Sequence, residues 1–184
     1  MKEPTMHWRA SLDPKGAKFV RGAGSRLSCV LVQPLLSHVV RRIGDRHPSV
    51  FARLGSYKQS AFLIDAVELP FALHLCPDPK ALAFRAVPRD RAPHAEARIR
   101  GRFMLLLELV DSERDGDAAF FSRDLDVSGD TEAVVRLRNA LDDVEGSIAE
   151  EAAGVLGAPG RAILARLRRA YKSEARGGSR HESR

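Results

Sequence analysis

Four short apolar segments separated by turn-forming residues constrain the fold of this chain most strongly. They lie between residues 61 and 100, and Pro70, Pro77 and Pro88 bound three of their ends. Segments of this length, broken by proline and charged residues, favour β-strands over helices. We predict that the four segments form an antiparallel meander, with strands at Ala61–Asp65, Phe71–Leu75, Ala81–Val87 and Ala95–Arg100.

Segments with helical periodicity precede and follow these strands. Before them, apolar residues from Val32 to Ile43 recur at spacings of three and four, which predicts a helix that Pro34 opens and that Gly44 and Pro48 close. A short second helix is expected at Ser49–Leu54. After the strands, Phe103–Val110 is apolar almost all round; its length favours a buried helix, although periodicity alone does not exclude a strand.

The last third of the chain predicts one further strand and three helices. Leu125–Ser128 alternates as a strand would, with Leu125 and Val127 inward. Asp130 is well placed to cap a helix that runs through Asp142, because its carboxylate can accept free backbone N–H groups of the first turn. Two final helices are expected at Ile148–Leu156 and from Pro159 to about Ala175, separated by Gly157.

The basic charge is concentrated at the two ends of the chain. The formal net charge is +6, yet residues 1–27 hold six basic residues against two acidic ones, and residues 161–184 hold eight against two. The middle of the chain therefore has no basic excess, and any attraction to anionic lipid or nucleic acid comes from the termini. We expect a flexible basic arm at 1–27, a folded domain at 28–158, a basic amphipathic helix at 159–175 and a disordered tail at 176–184.

No motif in the sequence supports a catalytic or metal centre. The histidines are not spaced as HExxH or HxH, and Cys29 and Cys76 lack CxxC spacing and are predicted to be buried free thiols. The acidic pairs Asp124 with Asp126 and Asp142 with Asp143 fit solvated charges better than an acid–base pair. We therefore expect a protein without catalysis, metal or cofactor. No apolar run is long enough to span a bilayer and no secretory signal begins the chain, so we expect a cytoplasmic protein.

The stretch from Ala118 to Asp142 resembles the signature of the sterol carrier protein domain. Its matching features are the paired Phe120 and Phe121, an Arg-Asp-Leu-x-Val strand at 123–127, a Gly-Asp-Thr-Glu turn at 129–132, and a helix end at 138–142. More narrowly, the stretch resembles family members that assist oxygen-independent ubiquinone biosynthesis. The looser resemblance runs from the first helix to the last.

This resemblance implies an α/β (α+β) fold with a five-stranded, mostly antiparallel sheet covered by helices, and an apolar cavity between the two layers. It also implies binding of a polyprenylated quinone precursor or a phospholipid, together with iron–sulfur hydroxylation proteins as partners. The residues expected to contact the lipid are the apolar side chains of the predicted strands and helices: Phe71, Leu73, Phe103, Leu106, Leu107, Val110, Phe120, Phe121, Val127, Val134, Leu137 and Leu141. Read from the residues alone, Phe103–Val110 is better explained as a buried core helix.

The C-terminal helix is expected to be amphipathic and basic on one side. Its basic residues are Arg161, Arg166, Arg168, Arg169 and Lys172, and such a face can lie on an anionic membrane surface. A packed helix with a solvated face explains the same pattern, but the first arrangement would make the protein peripheral at the inner membrane.

Two other functions remain open at this point. One is a nucleic-acid-binding module driven by the basic termini, although few aromatic residues accompany those charges and we expect no nucleic-acid partner. The other is a scaffold whose apolar groove binds partner proteins. Asp65, between Ile64 and Ala66, is explained either as a turn residue that bonds nearby backbone or as a polar contact to a quinone head group.

Overall fold

The structure is a computed structural model that describes residues 23–110, 124–142 and 147–178. Six α-helices and one five-stranded sheet lie within these ranges. The helices are α1 (Ala23–Arg46), α2 (Ser49–Leu54), α3 (Phe103–Val110), α4 (Thr131–Asp142), α5 (Ile148–Val155) and α6 (Gly157–Gly178). The strands are β1 (Phe62–Ala66), β2 (Ala72–Cys76), β3 (Ala83–Val87), β4 (Ala97–Gly101) and β5 (Asp126–Gly129).

The strands form one mixed sheet in the order β3-β2-β1-β4-β5. Three of its four pairings are antiparallel, whereas β1 and β4 run parallel, with Ile64 opposite Ile99. The predicted fold class is confirmed. The prediction of a continuous meander is wrong at β4, because the chain leaves the β3 edge and crosses the sheet to pair beside β1. Parallel neighbours need such a long crossover, and no local pattern in the sequence specifies it.

Helices α1 and α6 are longer than predicted. Helix α1 begins at Ala23, inside the predicted N-terminal arm, and passes through Pro34 and Gly44 instead of starting and stopping there. At the other end α6 continues to Gly178, so residues 176–178 of the predicted tail are helical. The remainder of the arm and tail lies outside the described residues.

One side chain of helix α1, that of Gln33, hydrogen-bonds the edge strand of the sheet. The Gln33 amide donates to the carbonyl oxygen of Phe84 at 3.0 Å and accepts from the backbone N–H of Ala86 at 3.1 Å. These two backbone groups belong to the edge strand β3. Gln33 therefore occupies part of the hydrogen-bonding edge that another strand could otherwise use.

The turn from β5 into α4 is tightly packed against β4. Gly129 has a φ of 83°, and a Cβ at this position would lie 2.2 Å from the Glu96 carbonyl oxygen. The next residue, Asp130, donates its backbone N–H to that oxygen at 2.8 Å. Its carboxylate accepts from the N–H of Ala133 at 3.0 Å, which confirms Asp130 as the cap of α4.

Helices α5 and α6 meet at a contact that only glycine fits. A Cβ on Gly160 would lie 2.1 Å from the carbonyl oxygen of Ala153, whereas a Cβ on Gly154 would meet nothing within 4 Å. We expect Gly160→Ala to lower the free energy of unfolding by about 2 kcal/mol through overpacking. The matched variant Gly154→Ala should raise it by about 0.5 kcal/mol, because alanine is the better helix former. Urea unfolding of the two variants measures both signs, and equal effects would contradict the contact.

Candidate functional site

The helix-covered face of the sheet is built from apolar side chains and is the candidate ligand-binding surface. Because side chains alternate along a strand, Phe62, Ile64 and Ala66 of β1 share this face, and Ala97 and Ile99 of β4 continue it. On the other side of β1, Leu73 and Leu75 of β2 lie opposite Ile64 and Phe62, and Phe84 and Ala86 follow on β3.

Two apolar clusters cover this face from different directions. The main cluster joins the β1–β4 half of the sheet to α2, α3 and α4, and its buried members are Val50, Leu54, Phe62, Ala66, Ala97, Ile99, Leu106, Leu109, Ala133, Val134, Leu137 and Ala140. The second cluster joins the β2–β3 half to α1, and its buried members are Cys29, Phe71 and Ala86. Val32 and Leu36 of α1 pack against the second cluster.

The middle of the sheet is covered less completely than its two halves. Ile64 is half-buried although its neighbours on the same face of β1, Phe62 and Ala66, are 0% and 1% exposed. Leu73 and Leu75 on the adjoining strand are also half-buried. Ile64 packs against the main cluster and Leu73 against the second. Apolar surface at the centre of a sheet therefore stays accessible where the clusters adjoin.

The structure brings most of the predicted lipid-contacting residues to this layer. Phe71, Leu106, Val134 and Leu137 are buried, and Leu73, Phe103, Leu107, Val127 and Leu141 are half-buried. Leu107 alone of these nine belongs to neither cluster. Val110 ends α3, and nothing is described of its side chain, while Phe120 and Phe121 lie outside the described residues.

Sequence reasoning missed Ile64 and Leu75, the accessible residues beside Leu73. Both lie in segments that were correctly predicted as strands. Alternation would have placed Ile64 with Phe62, and Leu75 with Leu73, on the same face. The signal was therefore present, but nothing in the sequence told which of the two faces the helices cover.

The opposite face of the sheet contains a buried charge cluster centred on Asp65, which is fully buried in β1. Arg89 Nε donates to Asp65 Oδ1 at 2.6 Å, and Arg98 donates to Oδ2. Arg89 also donates to the carbonyl oxygen of Ala66 at 2.6 Å. Arg89 belongs to the segment that connects β3 to β4, so these bonds hold that connection against the sheet.

Asp65 is thus a strand residue in an ion-pair network, and its prediction as a turn residue is wrong. Burial acts to raise the pKa of Asp65, but the hydrogen bonds from Arg89 and Arg98 outweigh it and leave the pKa below the usual value. The carboxylate is on the other face from Ile64 and both its oxygens are bonded. This placement separates it from the apolar layer.

A cysteine–histidine contact lies on the same polar face. Cys76 Sγ is 3.7 Å from His74 Nδ1, and His74 Nε2 is 3.3 Å from the carbonyl oxygen of His94. If Nε2 carries the proton, Nδ1 is left to accept from the thiol. Burial raises the pKa of the Cys76 thiol, as it does for Cys29, which disfavours the nucleophilic thiolate.

The C-terminal helix α6 packs on the domain through its first half. Leu164 is buried, whereas Arg161, Arg166 and Arg169 are exposed. Arg168 faces inward: it donates to Glu150 and lies 3.2 Å from the Ser147 hydroxyl. The predicted membrane-facing group thus loses Arg168, which is engaged with α5, and nothing is described of the Lys172 side chain.

A second ion-pair cluster links α1 to α5. Glu151 Oε1 accepts from Arg46 at 2.6 Å, and Oε2 is 3.2 Å from His47 Nε2. Burial acts to raise the pKa of Glu151, but the hydrogen bonds from Arg46 and His47 outweigh it and leave the pKa lowered. The bonds fix the end of α1, the helix that covers the β2–β3 half of the apolar face.

In the parts of the chain that the structure describes, no helix has the length and apolar character needed to cross a bilayer. Within the same ranges no group of three or more metal-ligating side chains comes together.

Comparisons with known proteins give one matching sequence family and several solved structures of low similarity. The sequence profile described as "SCP-2 sterol transfer family" matches residues 41–142, which is more than half of the chain. No curated protein matches in sequence. Among solved structures, the "UbiJ-SCP2 Ubiquinone synthesis protein" is 17% identical, with a TM-score of 0.44 over 64% of this chain and 90% of that one.

Two further structures are similar at lower identity. The sterol carrier protein domain 2 of Helicoverpa armigera is 8% identical, with a TM-score of 0.43 over 62% of this chain and 91% of that one. Sterol carrier protein 2 from Yarrowia lipolytica, in its apo form, is 12% identical, with a TM-score of 0.37 over 66% of this chain and 92% of that one.

The Asp65 cluster generates a prediction for stability and its dependence on pH. Asp65→Asn should cost about 3 kcal/mol at pH 7, because it leaves the partly buried Arg89 without its counterion. Since the pKa of Asp65 is lowered by folding, its contribution is complete above about pH 5 and is lost as the pH falls through the folded value. Unfolding free energy should therefore decline less steeply in acid for Asp65→Asn than for the wild type.

Asp126→Asn is the matched control for that measurement. It removes an exposed carboxylate from the same sheet face and should change stability little. Denaturant unfolding at a series of pH values compares the three proteins. Similar losses for both variants would show that Asp65 acts only through general charge.

Proposed function

Because this chain belongs to the SCP-2 sterol transfer family, we propose that it is a lipid carrier that holds an apolar molecule between its sheet and its helices. The family match includes all five strands and helices α2 to α4. One observation carries the proposal: Ile64, Leu73 and Leu75 remain half-buried at the centre of the helix-covered face. A long apolar molecule that lay between the two clusters would remove this surface from water.

The energetics suit an unreactive hydrocarbon chain. Burial of apolar area stabilises a complex by roughly 25 cal/mol per Å², without any need for a hydrogen-bonding group. The surroundings of Ile64 supply such contacts and no charged side chain on the same face of β1 or β4. A ligand with a long isoprenoid or acyl chain fits this chemistry.

The ligand we favour is a polyprenylated quinone precursor, with phospholipid as the alternative. This choice rests on the stretch from Ala118 to Asp142, which resembles the bacterial accessory factor UbiT of oxygen-independent ubiquinone biosynthesis. On this proposal the chain acts in the cytoplasm and presents the ring of its ligand to iron–sulfur hydroxylation proteins.

The carrier is proposed to do no chemistry itself. Asp65 and Glu151, two carboxylates with lowered pKa values, are held in ion pairs with arginines, and neither is positioned as a general base. Both thiols have raised pKa values. These features support binding in place of catalysis.

The exposed basic side of α6 is proposed to contact anionic membranes, from which the ligand must be collected. Arg161, Arg166 and Arg169 are exposed, and Leu167 beside them is 39% exposed. Each cation near an anionic bilayer contributes about 1 kcal/mol. Since Leu164 anchors α6 to the domain, the membrane contact would bring the whole carrier to the surface.

The direct test of the carrier is extraction of the purified protein into organic solvent, followed by mass spectrometry. We expect a co-purified polyprenylphenol or phospholipid, and saturable binding of a fluorescent fatty acid that such a lipid displaces. If the protein contains no co-purified lipid and binds none on titration, the proposal is overturned and a protein-binding scaffold is favoured.

Ile64→Trp tests where the lipid lies. If the space above Ile64 receives the ligand, the indole should fill it, so that fatty-acid binding falls about tenfold while the free energy of unfolding changes little. Leu156→Trp, at a position 49% exposed, is the control and should bind as the wild type does. A large loss of stability in Ile64→Trp would instead show a solid core at this point.

A triple variant tests the membrane contact. Replacing Arg161, Arg166 and Arg169 by glutamine should reduce sedimentation with phosphatidylglycerol vesicles by at least tenfold, because about 3 kcal/mol of surface attraction is lost. The control replaces Arg85, Arg91 and Arg136, which are exposed elsewhere, and changes the net charge equally. Equal losses in the two triple variants would contradict a specific role for α6.

A further inference from the structure

Three arginines surround Asp65 on the polar face of the sheet, and only two of them hydrogen-bond its carboxylate. Arg89 and Arg98 already hydrogen-bond its two oxygens. A third guanidinium, that of Arg100, lies with Nη1 3.9 Å from Oδ2, which is too long for a hydrogen bond. Three arginines therefore surround one buried carboxylate, and Arg100 lies near it without a hydrogen bond to it.

The side chains of Arg98 and Arg100 are partly exposed to solvent. Their side chains are 42% and 44% exposed, compared with 17% for Arg89. Arg98 Nε is buried and Nη2 donates to Asp65, so a ligand from solvent would contact Arg98 through Nη1. The two residues are two positions apart on β4, so their side chains leave the same face of the strand about 7 Å apart. One ligand of phosphate size can contact both.

The local charge favours an anion. Asp126 lies opposite Arg100 on β5 and is exposed, so Arg89, Arg98 and Arg100 face two carboxylates, those of Asp65 and Asp126. One positive charge is left over. Asp65 remains ionised at neutral pH because its pKa is lowered, and it fixes Arg98 in place. A guanidinium held in this way loses less conformational freedom when it binds an oxyanion.

We propose that Arg98 and Arg100 form a binding site for a phosphate group on the outer face of the sheet. Arginine forks match the oxygen geometry of phosphate, and charge-assisted bonds of this kind are about twice as strong as neutral ones. The site lies on the opposite face from the apolar layer. It does not rest on the lipid-carrier proposal and can fail or hold independently of it.

The test uses inorganic phosphate and the full chain labelled with ¹⁵N. Arginine Nε–H resonances are followed by NMR while phosphate replaces chloride at constant ionic strength. We expect saturable shifts of the Arg98 and Arg100 signals. Absence of saturation at about 10 mM phosphate, or shifts spread equally over all surface arginines, would overturn the proposal.

Variants decide whether these two residues are responsible. Arg100→Gln and Arg98→Lys should each weaken phosphate binding about tenfold, the second because one ammonium group keeps the charge but cannot bond Asp65 and phosphate in the way that the two Nη groups of a guanidinium can. Arg85→Gln removes the same charge from the same face but from β3, and binding should be unchanged. If Arg98→Lys does not fold, Arg100→Gln still decides, because its side chain makes no hydrogen bond to Asp65.

A variant that should strengthen phosphate binding provides a second test. Asp126→Asn removes the exposed carboxylate opposite Arg100, and phosphate binding should become several-fold tighter. Weaker binding in this variant, or an equal loss in Arg85→Gln and Arg100→Gln, would contradict the site.

The phosphate could come from a soluble phosphomonoester or from a lipid head group. Glycerol 3-phosphate and vesicles of phosphatidylcholine with phosphatidate distinguish the two. Competition by glycerol 3-phosphate with vesicle binding unchanged in Arg100→Gln assigns the site to a soluble ligand. Vesicle binding that Arg100→Gln abolishes assigns it to a head group, and no effect of Arg100→Gln on either ligand would overturn the proposal.

Discussion

The rest of the fold depends on the buried carboxylate of Asp65 and the arginines that bind it. Strand β1 lies in the middle of the sheet, and Arg89 comes from the segment that must cross from β3 to β4. By bonding both Asp65 and the Ala66 carbonyl oxygen, Arg89 attaches this crossing segment to the central strand. Arg98 adds the neighbouring parallel strand to the same network. A buried charge is costly unless it is paired, so the crossing segment cannot leave the sheet without a large loss of free energy.

The two faces of the sheet differ in what covers them. The face that contains Asp65 is polar at its centre and is covered by the segment that connects β3 to β4. Of the described α-helices, α1 packs on one half of the other face and α2, α3 and α4 pack on the other half. Between the two sets, Ile64 and Leu73 stay accessible. The same alternation along β1 that buries Asp65 on one side leaves Ile64 on the other, within reach of an apolar ligand.

Local features of this fold could be predicted from the sequence, and pairings over long distances could not. The helix that Asp130 caps, the buried helix Phe103–Val110 and all five strands follow from periodicity and turn residues. The parallel pairing of β4 with β1 was missed because strand neighbours are chosen by contacts far apart in the chain. The engagement of Arg168 by Glu150 was missed for the same reason: an amphipathic pattern distinguishes two sides of a helix, but not which neighbour one arginine will meet. Gln33 carried no signal at all, since its role depends on the position of the β3 edge.

The stretch that resembles the family signature is explained by the geometry of a turn. Gly129 and Asp130 are fixed by backbone geometry: the glycine has a positive φ and packs on Glu96, and the aspartate caps α4. Neither requirement involves a ligand. Apolar contacts, by contrast, tolerate exchange among residues of similar volume, so a lipid-binding surface leaves little that is specific in the sequence. The recognisable residues are therefore those that build the turn, whereas the residues proposed to contact a lipid, such as Ile64 and Leu73, leave no such signature.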